Sequence, residues 1–531
     1  MPESTAITYD VAIIGYGPVG ATFANLLARY GLKIAVVEQA AEIYDKPRAI
    51  TIDHEVLRAL QACGLGETME KSTAPHPGTH YLGVDGELIK IFDPMPPPYP
   101  LGWVPTATFV QPELEHALRG TISDYAGAAV LLSARAVNFS QDDDGVSLEV
   151  EQGGAMRVLR ARYLAACDGA NSFVRKRLGI ALDDLAFDEW WMVVDAFAAD
   201  LAKRPNKCFQ YCRPSRPGTF LPGPGALRRW EIKLLPGERP EDFASDDNIL
   251  KVLRDFTDTS DLTLWRSAVY RFHALLAQHW RAGRIFLMGD AVHQTPPFLG
   301  QGLSAGVRDA FNLAWKLAFV LSGRAEDVLL DTYEIERKPH VGAVVATAKE
   351  FGKIIGELDP VAAEARDERL REELRSGKAE TIRQKFIPDL AGGLIASDAK
   401  LAGSLFVQPR VRCGDGPLMR LDDVLSPGFA MVAATAESWQ WLTPQSLRAW
   451  ETLGGARVVI GDGRPADAPD DVIKVTEEGC LFHDWLRTNR TMVVVVRPDR
   501  YVFGAAANPD ELNELVGELI DGLAAPESGR A

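Results

Sequence analysis

The chain has 531 residues, and 57 Lys and Arg stand against 73 Asp and Glu, giving a formal charge of −16. Its 47% hydrophobic and 24% charged content belongs to a folded globular chain and excludes disorder, collagen or coiled coil as the dominant state. At roughly 150 residues per domain the length predicts about three or four units, or two large ones. The acidic balance argues against nucleic acid, whose phosphates require a local excess of Lys and Arg.

Met1-Pro2-Glu3-Ser4-Thr5 lacks the basic and apolar regions of a leader peptide. Residues 310–321 and 492–496, the longest apolar candidates, fall short of the ~20 residues that cross a bilayer, so no membrane is expected. The six cysteines, at 63, 167, 208, 212, 413 and 480, form no CxxC pair and no metal-type cluster. Cys208 and Cys212 read as ordinary buried strand thiols, and a reduced, cytoplasmic protein without a metal is expected.

Residues 9–14 (YDVAII) predict a buried strand, residues 18–30 a helix and residues 33–38 (KIAVVE) a second strand, a compact βαβ unit. Residues 163–169 (YLAACDG) and 284–290 (RIFLMGD) read as further strands of the same sheet, each ending in a Gly/Asp turn. Between them, residues 189–271 alternate with period 2 and break at Pro/Gly turns, which predicts a mostly antiparallel sheet. A long helix is expected through residues 310–321, a charged helical connector over 350–383, and a separate α/β unit from about residue 401. Arg175-Lys176-Arg177 reads as a solvated helix face.

Three motifs carry chemistry. Gly15-Tyr16-Gly17-Pro18-Val19-Gly20 follows a strand, opens a helix, and has Glu38 23 residues beyond Gly15. Gly15 permits the tight turn, Gly17 the approach of a pyrophosphate and Gly20 close helix–strand packing. Glu38 suits an adenosine ribose without a 2′-phosphate, so FAD or NAD is expected and NADP is not. Cys167-Asp168-Gly169 and Gly289-Asp290 each deliver an acid at a strand end, the second followed by Pro297, Gly300 and Gly302 at the mouth of the long helix.

Together these motifs resemble the single-component, FAD-dependent aromatic hydroxylases of the para-hydroxybenzoate hydroxylase fold. The resemblance extends to Lys46-Pro47-Arg48-Ala49-Ile50-Thr51-Ile52-Asp53, to Phe109-Val110-Gln111-Pro112 and to the run from Arg308 to Leu317. It implies a mixed α/β chain: a discontinuous Rossmann-like FAD-binding domain (1–185 and 275–345), an inserted antiparallel substrate sheet (186–274), a helical connector (346–400) and a thioredoxin-like C-terminal domain (401–531). That last domain lacks a CxxC, so an interface or structural duty is expected of it, with a homodimer as one consequence.

The resemblance further implies that Gly15, Gly17, Pro18, Val19, Gly20, Glu38 and Gln39 hold the ADP half of FAD. Arg48 would sit by the pyrophosphate and flavin ring, Gln111 by the ribityl chain, and Asp290, after Gly289, on the ribityl hydroxyls. Asp168 would support the cofactor or the nicotinamide-side groove, and Pro297 would flank the reactive ring edge. Gly302, Leu303 and Ser304 would supply backbone donors to the pyrimidine end, with Gly300 also at the cofactor, although the family usually has Asn where Ser304 stands. NADH or NADPH would reduce the flavin without a second GxGxxG domain. O2 would then form a C4a-hydroperoxyflavin that hydroxylates a small aromatic substrate, a phenol bearing an acid side chain such as propionate.

Arg48, Tyr211 and His273 are the catalytic candidates, the last two as acceptors for the phenolic proton; Arg213 and Tyr270 are the substrate-binding candidates. Arg216 and Arg271 offer further forks for a carboxylate, and His293 reads as a structural turn residue. Another phenol, resorcinol, pyridine or polyketide, or a non-hydroxylating flavin NAD(P)H oxidase, is the competing reading.

Overall fold

A computed structural model of the chain describes residues 8–397, 399–462 and 468–524. The N-terminal stretch Met1–Thr5 considered above lies outside them, as does the end of the 401–531 unit. In the first sheet Tyr9–Ile14 pairs in parallel with Ala155–Ala166 on one side and Ile34–Val37 on the other. Ile285–Leu287 and Ala128–Leu131 continue it outward, again in parallel. Ile34–Val37 and Ile285–Leu287 are wholly apolar and buried, as strands covered on both faces are, whereas Ala155–Ala166 begins on exposed residues that include Arg157. The helix Pro18–Arg29 starts with proline in its first turn and crosses the long helix Gly302–Leu321, where a Cβ on Gly306 would fall 2.6 Å from Val19 Cγ2. Only glycine allows that approach.

The second sheet is built on two long antiparallel strands, Leu182–Ala198 and Leu262–Ala277. Leu227–Lys233, Gly218–Pro222 and Cys208–Tyr211 extend it. Two strands from far upstream complete it, Thr79–Leu82 and Leu88–Phe92, the former pairing in parallel with Cys208–Tyr211. The sheet thus reaches outside residues 186–274. Four residues of alternating burial in Thr79–Leu82 are too short a run to stand out as a period-2 signal. Cys208 and Cys212 are buried and unpaired, as expected.

One surface reading is corrected. Arg175 is not solvated: it is 5% exposed and donates from Nη1 to Ala291 O at 2.7 Å and from Nη2 to Ala170 O at 3.0 Å. Ser172 caps the short helix Phe173–Arg177 by accepting from Arg175 N, which turns the guanidinium inward. It ties the Asp168 turn to the Asp290 turn.

In the C-terminal unit Val493–Val496 lies between Ala430–Ala433 and Val502–Ala506, and Ala456–Asp462 and Ile473–Glu478 extend the sheet in parallel. Helices Pro444–Leu453, Leu481–Asn489 and Pro509–Leu523 flank it. The unit docks on the long helix: Trp315 and Phe319 meet Phe429 edge to face. Beside them Lys316, Glu336, Arg497 and Asp499 form a network at most 1% exposed. Among the described residues no helix is long and apolar enough to cross a membrane.

Candidate active site

Three parallel strands end at one edge of the first sheet, where open α/β sheets bind ligands. Gly15 has φ +96° and its missing side chain would overlap the Cys167 carbonyl; Gly20 lies on the Gly15 carbonyl in the same way. The helix therefore starts hard against the strand, and Gly17 opens onto free space. Its first amides face a groove of about 500 Å³ lined by Gly15, Gly17, Pro18, Glu38, Gln39 and Arg48, a setting that attracts a pyrophosphate. Glu38 is fixed at the rim, accepting from Tyr16 N at 2.7 Å and from Ala40 N at 2.8 Å.

This groove runs into a cavity of about 770 Å³ between the first and second sheets, and Gly17, Gln39, Arg48, Gln111 and Asp168 line both. Asp168 Oδ2 accepts from Val174 N at 3.1 Å, while its Oδ1 is buried without a partner. Val19, Asp290, Pro297, Gly300, Gly302 and Leu303 face the cavity, and nothing lies within 4 Å of where a Gly302 Cβ would stand. Gly20, Gly289 and Ser304 sit behind the lining: Gly289 N donates to Asp309, and Ser304 Oγ is buried and unpartnered. An open glycine cradle at each end and an orphaned Asp168 oxygen between them fit an extended dinucleotide with a flavin at its end.

The loop bearing Arg48 is gripped from two sides. Gln111 Oε1 accepts from Arg48 N at 3.1 Å and from Ala49 N at 2.7 Å, while its Nε2 donates to Glu115. Both ends of this amide are thus engaged within the protein. From the second sheet Arg229 donates to Arg48 O at 2.8 Å and Pro47 O at 3.0 Å. Arg229 and Arg266 share Asp195, which is fully buried. Two cations on one buried carboxylate are justified less by net stability than by the geometry they impose. The Arg48 side chain has no hydrogen bond or ion pair among the described residues; it lies 5.4 Å from the Tyr44 ring centre.

Of the predicted substrate residues, Tyr270 and His273 line the cavity. Tyr270 OH accepts from Arg266, and His273 lies 3.6 Å from Asp188. Tyr211 and Arg213 do not line it. Gln210 faces the cavity, so its strand neighbour Tyr211 faces away, packing on Phe256 with Arg213 stacked over the same ring. Arg213 donates to Asp255 O at 3.0 Å, Arg216 is held by Glu238 at 2.6 Å, and Arg271, though it lines the cavity, is bound to Asp188. His293 is fully buried and bonded to Asp309 at 2.8 Å, which Arg337 also holds; that is a turn brace, as expected.

Among the cavity residues that the sequence left unmarked are His76, Glu231 and Arg383. The Glu231 side chain is 13% exposed, and burial raises its carboxyl above the ordinary range against the pull of Arg229 at 3.9 Å. Its alternation with Arg229 along one strand was legible. His76 and Arg383 lie in irregular segments that carry no periodic signal.

The comparisons agree with this geometry. Residues 8–348 match the FAD binding domain family, and residues 403–522 match the HcaD C-terminal domain. The 3-(3-hydroxy-phenyl)propionate/3-hydroxycinnamic acid hydroxylase 1 of Burkholderia vietnamiensis is 32% identical, covering 98% of this chain and 92% of its own. The corresponding Escherichia coli hydroxylase is 32% identical over 96% of this chain and 94% of its own. The flavin-dependent monooxygenase PieE, solved with FAD and substrate, superposes with a TM-score of 0.80 at 22% identity over 98% of this chain and all of its own. Aklavinone-11 hydroxylase, solved with FAD and aklavinone, gives 0.76 at 23% over 97% of this chain and all of its own. The chain belongs to the family of FAD-dependent monooxygenases that carry this FAD binding domain. It is a flavoprotein hydroxylase of mixed α/β fold with FAD as its cofactor and an aromatic substrate.

Proposed function

We propose that the protein hydroxylates a phenolic aromatic acid of the 3-(3-hydroxyphenyl)propionate kind, with NADH or NADPH as reductant and O2 as co-substrate. The observation that carries this reading is the continuous cavity: it starts at the glycine turn and ends on a sheet face carrying ionisable side chains. Full-length likeness to two hydroxylases named for such acids supports it. FAD, when bound, supplies hydride acceptance and oxygen activation.

The chain's own residues supply position and electrostatics. Gly15, Gly17, Pro18, Val19, Gly20, Glu38 and Gln39 hold the ADP half, and Asp290 the ribityl hydroxyls. Arg48, locked by Gln111 and Arg229, brings its unpaired guanidinium to the pyrophosphate and ring. Asp168 offers its free Oδ1. Backbone donors at Gly302, Leu303 and Ser304, the first turn of the long helix, stabilise negative charge at the pyrimidine end, as an oxyanion hole does, while the Gly300 N–H donates to Pro297 O. Pro297 flanks the space for the arene. A phenol near pKa ~10 becomes a better nucleophile as its proton is drawn off, and Glu231 and His273 are the cavity groups that can accept it, with Tyr270 as a hydrogen-bond partner; Tyr211, on the opposite face, is withdrawn from that role.

We also retain residues 1–185 with 275–345 as the cofactor unit, 186–274 as the main part of the substrate sheet, 346–400 as connector and 401–531 as the C-terminal unit. A cytoplasmic location, a homodimer through the C-terminal unit, and the absence of nucleic-acid and membrane partners complete the reading, supported by the acidic charge and the unpaired cysteines.

One aerobic turnover with FAD, NADH or NADPH and 3-(3-hydroxyphenyl)propionate tests the proposal. A product heavier by one oxygen in the mass spectrum, with little peroxide, is expected. Reductant consumed entirely to peroxide overturns the substrate class.

A further inference from the structure

We propose that Arg383 and His76 together form the anchor for the substrate's carboxylate, in the part of the cavity that lies outside the cofactor's phosphate groove. This rests on the aromatic-acid reading above and specifies where such a substrate is held.

Three of the cavity's arginines are already engaged. Arg229 and Arg266 share the carboxylate of Asp195 and donate further to the backbone carbonyls of Pro47 and Arg48. Arg271 is bonded to Asp188. The two arginines lining the cavity with no hydrogen bond or ion pair among the described residues are Arg48 and Arg383. Arg48 also lines the phosphate groove, whereas Arg383 does not. Each half of the cavity therefore holds one unpaired guanidinium. A carboxylate is the natural partner of such a fork.

Arg383 enters from the connector, on the short turn Arg383–Phe386. Its Nη2 would stand 3.3 Å from a Cβ on Gly300, which puts the guanidinium at the cavity wall beside that turn. Its charge is felt at His76, Tyr81 and Cys208, on the side of the second sheet formed by Thr79–Leu82 and Cys208–Tyr211.

His76 supplies a second, independent indication. It is 7% exposed and lines the cavity, and its Nδ1 accepts from Gly78 N at 3.1 Å. That bond requires a lone pair on Nδ1, so the ring proton resides on Nε2. Burial, with Arg383 and Lys207, pushes the imidazole down to about 3, so at neutral pH it is an uncharged donor. Nε2 has no partner. A buried donor left unpaired is costly, and a carboxylate seated against Arg383 satisfies it. With the acid at this end, the ring extends along the sheet face toward Glu231, which lies on the third strand from Thr79–Leu82.

The test compares 3-(3-hydroxyphenyl)propionate with its neutral alcohol, 3-(3-hydroxyphenyl)propan-1-ol, by equilibrium dialysis against the flavin-loaded enzyme. Arg383→Met is expected to weaken the acid by about 10- to 100-fold and to leave the alcohol's affinity unchanged. Arg383→Lys keeps the charge without the fork and falls between. His76→Leu weakens the acid alone, by less. Undiminished acid binding in Arg383→Met, equal loss for both ligands, or a changed flavin reduction potential with unchanged acid affinity overturns the anchor. Wild-type protein that hydroxylates the acid while Arg383→Met still binds it normally overturns the anchor alone. Wild-type protein that takes neutral phenols and binds no acid overturns the aromatic-acid reading and the anchor with it.

Discussion

At the scale of single residues, Asp290 and Glu231 are two cavity carboxylates that burial raises. Asp290 stands at a strand end, with no internal hydrogen bond among the described residues to occupy it. Asp290→Ala is expected to purify with little bound flavin, read from the ratio of flavin to protein absorbance; full occupancy would contradict the ribityl assignment. Glu231 is largely buried, and burial raises its carboxyl. A raised carboxyl contributes stability at pH below the ordinary Glu value and loses it as pH climbs through the raised value. Gln cannot ionise. The melting temperature of Glu231→Gln should therefore rise relative to wild type as pH climbs above the ordinary Glu range, and a gap that narrows as pH rises would refute the raised carboxyl.

At the scale of elements, the contact between the long helix and the C-terminal unit depends on charge as much as on rings. Arg497 grips Glu336 at 2.7 Å and 3.0 Å and Asp499 at 2.7 Å and 3.0 Å, while Lys316 approaches Glu336 at 2.8 Å. Burial would raise the Glu336 carboxyl, but Arg497 and Lys316 outweigh it and hold it far below its usual range. Burial presses Lys316 down to about 8 against the pull of Glu336. Removing one member strands the others uncompensated, which costs about 3–5 kcal/mol. Arg497→Ala should lose stability on that order in urea unfolding, and a change within experimental scatter would show that the network is neutral.

At the scale of the whole molecule, the C-terminal unit covers apolar surface that the cofactor unit cannot expose. Trp315, Phe319 and Leu329 share a core with Phe429, Val495 and Phe503. A chain ending at residue 396 should expose those rings and collect in the insoluble fraction on expression; a soluble, monodisperse product would show that the two units are independent. The same packing explains why a unit without a CxxC is present at all: it completes a core.

The amino-acid sequence by itself located the glycine turns and strand ends around the groove. Gly15, Gly17, Gly20, Glu38, Asp168 and Asp290 were legible because tight turns and close helix–strand packing impose backbone requirements that short contiguous motifs satisfy, each at a strand end flanked by a readable apolar run. The paired strands Leu182–Ala198 and Leu262–Ala277 were legible as period-2 alternation. Alternation alone did not say which face would be inner, so Tyr211 was expected where Gln210 stands. Only the tertiary structure decided the substrate half. His76, Glu231 and Arg383 come from three distant segments, and what distinguishes His76 and Arg383 is a partner they lack. That property exists only once the folded chain has paired off their neighbours, leaving Arg229, Arg266 and Arg271 satisfied and Arg383 free.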